Sequence, residues 1–551
     1  MNRRDLLKST STTGLMLAAF GLPAFAATDS RIEISLNQPI GRISPNLYGH
    51  FTENIGALIY NGIWVGEDSA IPNIHGIRHD LVERLRAIRP AIVRWPGGCF
   101  ADSYDWRDGV GPREDRPRRT NFWAGESGAQ RTTSTAAKYD PNQFGTAEFV
   151  RFCKLVGAQP YLAANVRSLP AEQFYQWIEY CNSPAATTSL SELRAADGSP
   201  QPFPVLYWGV GNEAWGCGGN LTAGEYATEW RKFVSWIPRY GLNLSLIASG
   251  PSDSDWNWTR AFLEGVAQKG SGLLQEIYGL SLHHYSWNLS RGKTKDWNQG
   301  KGDALRFAPI DWYELLREGA EMEGLITGHW KVMGEIDRDH EVKLVVDEWG
   351  PWYQPGASPD PSYILGQQIT LRDAVMSAIT LDIFNRHPGK IGVACNAQLM
   401  NCLNSLFFSQ EDKLIVTPVY YIFQMYAAHQ GRMSVRTDFS SPAAAYDRDG
   451  QSASFPGLTG SASWYEKGKE VLLSVVNADT SRPREAEIVI RQGKIAAVKA
   501  TTLTHAALNA HNTFDQPNAV RPQETAVRVT GGSVVHVFPP ASVTALTLTL
   551  A

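Results

Sequence analysis

The feature that most restricts the fold is an alternation. From residue 46 to about 425, short apolar runs recur with helical patterns between them, as expected of a parallel sheet whose strands are joined by crossover helices. Eight runs are present, at Leu47 to Glu53, Ala91 to Pro96, Gln159 to Val166, Val205 to Glu213, Leu244 to Ser249, Ile277 to Tyr285, Val342 to Trp349 and Ile391 to Gln398. Between the first two, Leu81, Leu85 and Ile88 fall at i, i+4 and i+7 and mark a helix face, with Pro90 ending it. Thr146 is expected to cap a helix carrying Phe149, Phe152 and Val156 and closed by Gly157. The same period returns around Tyr226 to Trp236 and Leu371 to Phe384. The pattern predicts an α/β fold, a closed (β/α)8 TIM barrel over residues 46–425 rather than an open sheet.

After residue 426 the helical period disappears. Val471 to Val476, Ala486 to Ile490, Val534 to Phe538 and Val543 to Leu550 read as strands separated by turn-rich stretches, so residues 426–551 are expected to form an antiparallel β-sandwich. Within residues 28–45, Arg31 to Pro39 is strand-like and is expected to join the sandwich at its edge. The sandwich lacks an evident row of exposed aromatics and reads as a packing partner of the barrel.

Composition removes several functions. With 51 Lys and Arg against 55 Asp and Glu, the chain carries a formal charge of -4, too little field of either sign to hold a polyanion, so no nucleic-acid partner is expected. At the N-terminus, Arg3-Arg4 precedes a mildly apolar stretch from Gly14 to Phe25 and the small-x-small triplet Ala24-Phe25-Ala26. Residues 1–27 therefore read as an export signal of twin-arginine type, placing the mature protein in the periplasm or outside the cell. The stretch is shorter than the ~20 residues a membrane span needs, and no membrane partner is expected. The six cysteines, at 99, 153, 181, 217, 395 and 402, form no C-x-x-C pair and are too sparse for a disulfide framework.

The chemistry sits where a barrel builds its active site, at the C-terminal ends of the strands. Strand four ends Gly211-Asn212-Glu213 and strand seven ends Asp347-Glu348-Trp349. A single acid at a strand end is commonly a salt-bridged rim residue. Two such acids meet the requirement of glycoside hydrolysis for one carboxyl as proton donor and a second as nucleophile or base.

Together with Gly49-His50-Phe51-Thr52-Glu53, Arg94-Trp95-Pro96-Gly97-Gly98-Cys99-Phe100 and His283-His284-Tyr285, these motifs in this order resemble those of family 51 glycoside hydrolases, the α-L-arabinofuranosidases. The resemblance runs from about residue 40 to the C-terminus. It implies a retaining, exo-acting enzyme that releases terminal L-arabinofuranose from arabinose-containing oligo- or polysaccharides, with Glu213 as general acid/base and Glu348 as nucleophile. It also implies sugar binding by Glu53, Asn212 and Gln398, with Tyr285 holding the nucleophile and His283 close to the acid pair; Trp352, which follows the nucleophile in sequence, is expected to supply an apolar wall for a sugar ring. Arg94 is counted with the binding residues, and an Arg94 to Glu53 pairing is the structural alternative for that acid. Homo-oligomers are a further implication. No cofactor is implied, and no metal is expected, because His283 and His284, adjacent on a strand, point to opposite faces. Some family members carry Asn where Cys99 stands, so here the sugar contact would come from a thiol, from backbone or from elsewhere. Cys99 and Cys217 at one barrel mouth form either a disulfide or close thiol pair, or two small residues that shape the pocket.

Fold and carboxylate pair do not by themselves choose the sugar, so an endo-glucanase or xylosidase on the same barrel remains an alternative. A non-catalytic carbohydrate-binding protein is a third reading, and it gives the second glutamate no purpose.

Overall fold

A computed structural model describes residues 29–125, 138–268 and 271–551. The leader read at residues 1–27 lies outside the described residues. Each of the eight apolar runs coincides with one strand of a closed parallel barrel, the sixth and seventh strands running one and two residues past their runs: Gly49–Phe51, Ile92–Trp95, Gln159–Ala164, Tyr207–Val210, Ser245–Ala248, Ile277–Ser286, Lys343–Pro351 and Ile391–Ala397. Consecutive strands pair in sequence order, and the last closes on the first through Cys395 opposite Gly49 and Ala397 opposite Phe51. Phe51, Ile92, Tyr161, Ile247, Val345 and Val393 fill the barrel interior as one apolar cluster, the packed core that makes such a barrel solid rather than a pore.

The crossover helices follow from their apolar stripes. His79–Ile88 buries Leu81, Leu85 and Ile88, and Arg89 ends it in the left-handed conformation, φ 53°. In the helix Thr146–Val156 the threonine is the first helical residue and Gly145 stands at the cap. The Glu148 carboxylate accepts the Gly145 N–H at 2.9 Å and closes the turn in place of the expected threonine hydroxyl. Gly157, φ 81°, terminates the helix as its sequence position predicts.

The C-terminal part forms a ten-stranded sheet. Ile32, Ile34, Ile488, Val534 and Phe538 from one half share a core with Val471, Leu473, Leu546 and Leu548 from the other, so the sheet is folded over itself as a sandwich. The segment expected at the edge lies inside the sheet. Ser30–Arg42 pairs antiparallel with Met433–Ser440 on one side and parallel with Arg484–Ile490 on the other. Its alternation places Ile32 and Ile34, both fully buried, in the core, a demand that an edge position would meet less well. All other pairings of this sheet are antiparallel.

Barrel and sandwich meet on the helix Leu371–Arg386, in which every residue from Leu371 to Asn385 is buried. Burial on all sides explains why its apolar residues do not form a single stripe. Asp382 is the polar centre of this junction. Its Oδ1 accepts from the hydroxyls of Ser461 at 2.6 Å and Ser474 at 2.5 Å, and its Oδ2 accepts from Tyr426 at 3.0 Å. Burial raises its carboxyl to about 6. Replacing Asp382 with alanine removes the shared acceptor of three buried hydroxyls and leaves Tyr426 without its partner, which should cost about 1–3 kcal/mol of stability. Denaturant unfolding measures this, and a loss below ~0.5 kcal/mol, the size of an ordinary surface change, would remove Asp382 from the role of inter-domain clamp.

Candidate active site

Polar side chains from six strand ends converge at the C-terminal mouth of the barrel. Arg94, fully buried at the end of the second strand, is the hub. Its Nη1 donates to Glu348 Oε1 at 2.7 Å, its Nη2 donates to Asn212 Oδ1 at 2.6 Å, and its Nε lies 3.4 Å from Asp347 Oδ2. Burial opposes the guanidinium charge, but Asp347 and Glu348 outweigh it and hold the group well above its ordinary value.

Glu348 is held at both oxygens. Arg94 occupies Oε1, and the Tyr285 hydroxyl donates to Oε2 at 2.7 Å, so both act as acceptors, the arrangement of an ionised carboxylate. Glu213 is held at one. His283 Nδ1 lies 2.9 Å from its Oε1, while its Oε2 faces the sulfurs of Cys217 at 3.6 Å and Cys99 at 4.0 Å. Carboxylate oxygens of Glu213 and Glu348 approach within 4.8 Å of each other. Glu213 itself has φ 39°, a left-handed conformation unusual for a residue with a side chain, which follows Gly211 at φ 81°.

Two cations and three carboxyls thus share the floor. Burial disfavours the charged imidazole of His283, yet Glu348, Asp347 and Glu213 around it raise it to about 10. His284 turns the other way, toward Asp253 Oδ1 at 2.8 Å and the Glu318 carbonyl at 2.9 Å, as strand alternation requires.

Glu53 accepts the backbone N–H groups of Gly98 at 3.1 Å and Phe100 at 3.0 Å on Oε1, and Gln398 Nε2 at 3.0 Å on Oε2. Burial and the nearby Glu348 push its carboxyl up to about 7. Every Arg94 nitrogen is directed to other partners, so the structural pairing with Glu53 does not form. Gln398 Oε1 is buried without a partner. Asn212, its oxygen occupied by Arg94, keeps an Nδ2 that stands 3.7 Å from Cys217 Sγ. Both groups are therefore free to meet ligand hydroxyls. Trp352, half-buried, packs edge-on against Tyr285 with centroids 5.0 Å apart. The glycines of Trp95-Pro96-Gly97-Gly98 are spatial necessities. A Cβ on Gly98 would stand 2.7 Å from Glu348 Oε1, and one on Gly97 would stand 2.7 Å from Glu53 Cγ.

Cys99 and Cys217 are joined in a disulfide. This corrects the thiol contact considered for Cys99, because a cystine sulfur carries no proton to donate. Among the described residues two groups have metal-ligand proximity, Cys99 with Glu213 and Cys217, and Glu213 with His283 and Glu348. The first lacks thiolates because of the disulfide, and in the second Arg94 and Tyr285 already occupy both Glu348 oxygens.

Two supporting acids escaped the sequence reading. Asp347 accepts from Tyr161 at 2.7 Å and Ser281 at 2.5 Å and faces His283 Nε2 at 3.3 Å. Burial would raise it, but Arg94 and His283 hold it well below the usual carboxylate range. Simple alternation sends Asp347 and Glu348 to opposite faces. Strand seven instead carries an extra residue relative to both neighbours, since Ser281 and His283 pair with Val345 and Glu348, and Ala394 and Asn396 pair with Val346 and Trp349. That bulge turns both acids toward Arg94. Asp102 is the second. Its carboxylate accepts the N–H groups of Val166, Arg167 and Asn212 at 2.8, 3.1 and 3.0 Å, and so fixes the backbone that presents Asn212.

A (β/α)8 barrel with two carboxyl groups at this separation in its mouth defines a glycoside hydrolase. The models of the α-L-arabinofuranosidase 1 domain and of the α-L-arabinofuranosidase C-terminal domain match residues 84–299 and 347–542. An intracellular exo-α-L-arabinofuranosidase of Bacteroides ovatus is 34% identical, with 98% of each chain covered. The crystal structure of a GH51 arabinofuranosidase from Xanthomonas axonopodis pv. citri superposes with a TM-score of 0.86 at 35% identity, covering 95% of this chain and 100% of that one. The chain belongs to family 51 of the glycoside hydrolases, the α-L-arabinofuranosidases, and has their exo-α-L-arabinofuranosidase function. The glucanase, xylosidase and non-catalytic readings fall away.

One expectation is overturned by these relatives. Both the Bacteroides ovatus enzyme and an exo-α-(1->5)-L-arabinofuranosidase of Streptomyces lividans, 27% identical over 88% of this chain and 70% of its own, are named intracellular. Export to the periplasm or medium is therefore withdrawn. An arginine pair, a dozen mildly apolar residues and a small-x-small triplet use common residue types, and such a pattern discriminates weakly.

The disulfide has a direct consequence. Iodoacetamide added to the folded protein without reductant should label none of the cysteines, because Cys99 and Cys217 are bonded and Cys153, Cys181, Cys395 and Cys402 are buried. Mild reduction should expose two. Labelling of both Cys99 and Cys217 before reduction would rule the bond out.

Proposed function

We propose that the enzyme hydrolyses terminal α-L-arabinofuranosides with retention, by double displacement, with Glu348 as nucleophile and Glu213 as acid and then base. The observation that carries this reading is the unequal setting of two carboxyls whose oxygens approach within 4.8 Å. Retaining pairs stand roughly 5–5.5 Å apart, too close for the water that an inverting site places between them. Glu348 is nearly dry and is fixed at both oxygens, which aims it at one position in the mouth. Glu213 keeps Oε2 without a protein donor, and that is the position from which a proton can pass to the leaving oxygen.

Charge supports the same assignment. Arg94 and His283 supply two positive charges against Asp347, Glu348 and Glu213. A proton on Glu213 makes the set neutral. Once Glu348 is esterified by the sugar its charge is gone, and Glu213 can give up its proton and later draw one from water. Asn212 Nδ2 would donate to the sugar 2-hydroxyl, a bond that strengthens as the ring becomes cationic. Glu53 and the free Gln398 Oε1 would receive other sugar hydroxyls.

Proton NMR of the first-formed sugar should show the α-anomer before mutarotation, and first appearance of the β-anomer would reject retention. A dinitrophenyl arabinoside needs little help to leave, so Glu213→Ala should slow its glycosylation step little, while natural linkages should lose at least ~100-fold. Azide should speed turnover by that variant and give a product with the substrate's configuration. Equal losses on both leaving groups, with no azide effect, would remove Glu213 from the acid/base role. EDTA dialysis should leave the rate unchanged, and a loss restored by a divalent ion would bring a metal into the reaction.

A further inference from the structure

Beside the nucleophile, an unbroken line of aromatic rings leads outward from the mouth. Tyr285, bonded to Glu348, meets Trp352 at 5.0 Å; Trp352 meets Trp297 at 4.8 Å; Trp297 meets Trp287 at 4.6 Å. All four rings are half-buried. Wedged into this line is Lys301, whose Nζ stands 4.1 Å from the Trp297 centroid and 4.4 Å from that of Trp352.

Lys301 is only 8% exposed. Among the described residues its ammonium has no ion pair and no hydrogen bond, and the two indole faces are the protein groups that support its charge. A buried lysine ordinarily has a carboxylate. Burial lowers Lys301 to about 8, which still leaves it largely protonated at neutral pH.

The position is built. The residues flanking Lys301 are each tied by backbone, Gly300 O to Leu289 N at 2.8 Å and Gly302 O to Gln354 N at 2.9 Å. Gly300 lies so close to Trp287 that a Cβ there would stand 2.3 Å from the ring. The loop is thus held against the segment following the nucleophile, which keeps the base of the Lys301 side chain beside the two indoles.

We propose that this line is the surface on which the leaving-group sugars lie, and that Lys301 completes its charge with a carboxylate of that chain, so that the enzyme favours arabinosides borne on hexuronate-containing glycans. Pyranose rings pack on indoles, and a chain laid along Trp297 and Trp352 would pass Lys301, which stands beside both. A carboxylate delivered there forms a charge-assisted bond in a partly desolvated place, where it is worth more than at the surface. The inference rests on the arabinofuranosidase reading.

The test uses hydrolysis of 4-nitrophenyl α-L-arabinofuranoside as reporter and short glycans as competitors. A xylo-oligosaccharide bearing one glucuronate branch is compared with the unbranched oligomer, and a galacturonate-containing oligosaccharide is compared with its methyl ester. In at least one pair the acidic member should inhibit about tenfold more tightly, and which pair responds identifies the source of the carboxylate. Lys301→Met, which keeps the packing between the indoles, should bring the ratio near one, and Lys301→Arg should retain most of it. Raising the salt should narrow the ratio in the unmodified enzyme. Trp297→Ala should weaken both members of the responding pair. Equal inhibition within both pairs, or a ratio that survives Lys301→Met, would overturn the proposal. Failure of the underlying reading would instead appear as no hydrolysis of the reporter by the unmodified enzyme.

Discussion

The buried guanidinium of Arg94 is the interaction on which the mouth of the barrel depends. A charge of this kind, with 1% of its residue surface exposed, is tolerable only when its donors are met and its charge is matched. Arg94 donates from Nη1 to Glu348 on the seventh strand and from Nη2 to Asn212 beyond the fourth, while its Nε, which makes no hydrogen bond, lies 3.4 Å from the charge of Asp347. The same bonds that make the arginine tolerable set the distance between the fourth and seventh strand ends, and hence between the two glutamates. Phe51 beneath the guanidinium plane, 4.6 Å from its centre, blocks any slide toward the barrel interior.

The cluster also divides labour among acids that look alike in sequence. Asp347 accepts from Tyr161 and Ser281, faces both Arg94 and His283, is only 1% exposed and stays charged. It shares with Glu348 the duty of counter-ion to Arg94 and His283. Glu53 is fed by backbone N–H groups that only a Gly-Gly turn can bring so close, and burial lifts it toward neutrality. Asp102 works a shell further out, fixing the backbone of Asn212.

How much of this was legible in the sequence follows from periodicity. The barrel strands were legible because a strand buried on both faces must read as a continuous apolar run, and the acids ending two of those runs pointed at Glu213 and Glu348. Resemblance to a family supplied the roles, and residue pattern alone stopped at two acids in a barrel mouth. Asp347 was hidden because a bulge breaks the alternation from which its direction would be read. Asp102 lies in a loop with no periodic pattern, and its three backbone partners come from segments 64 to 110 residues away. The interior place of Ser30–Arg42 was equally hidden, since its neighbours lie about 400 and 450 residues further along the chain. Lys301 carries no local signal either; its isolation is a property of what surrounds it.

The difference in exposure between the two proposed catalytic acids fits what each step demands of them. The Glu348 side chain is 7% exposed and the Glu213 side chain 19%. A nucleophile gains from dryness, because water competing for its oxygens weakens the attack and an ester formed there is sheltered. An acid/base residue must instead meet two partners in turn, a departing sugar oxygen and then an incoming water, so it belongs on the wet side. The cystine beside it suits that place. Its sulfurs fill space next to Oε2 and offer no acidic proton, so the oxygen that must trade protons with ligand and water is walled off without being satisfied. A hydroxyl or amide in the same position would hold that oxygen permanently, and the proton transfer would first have to break the bond.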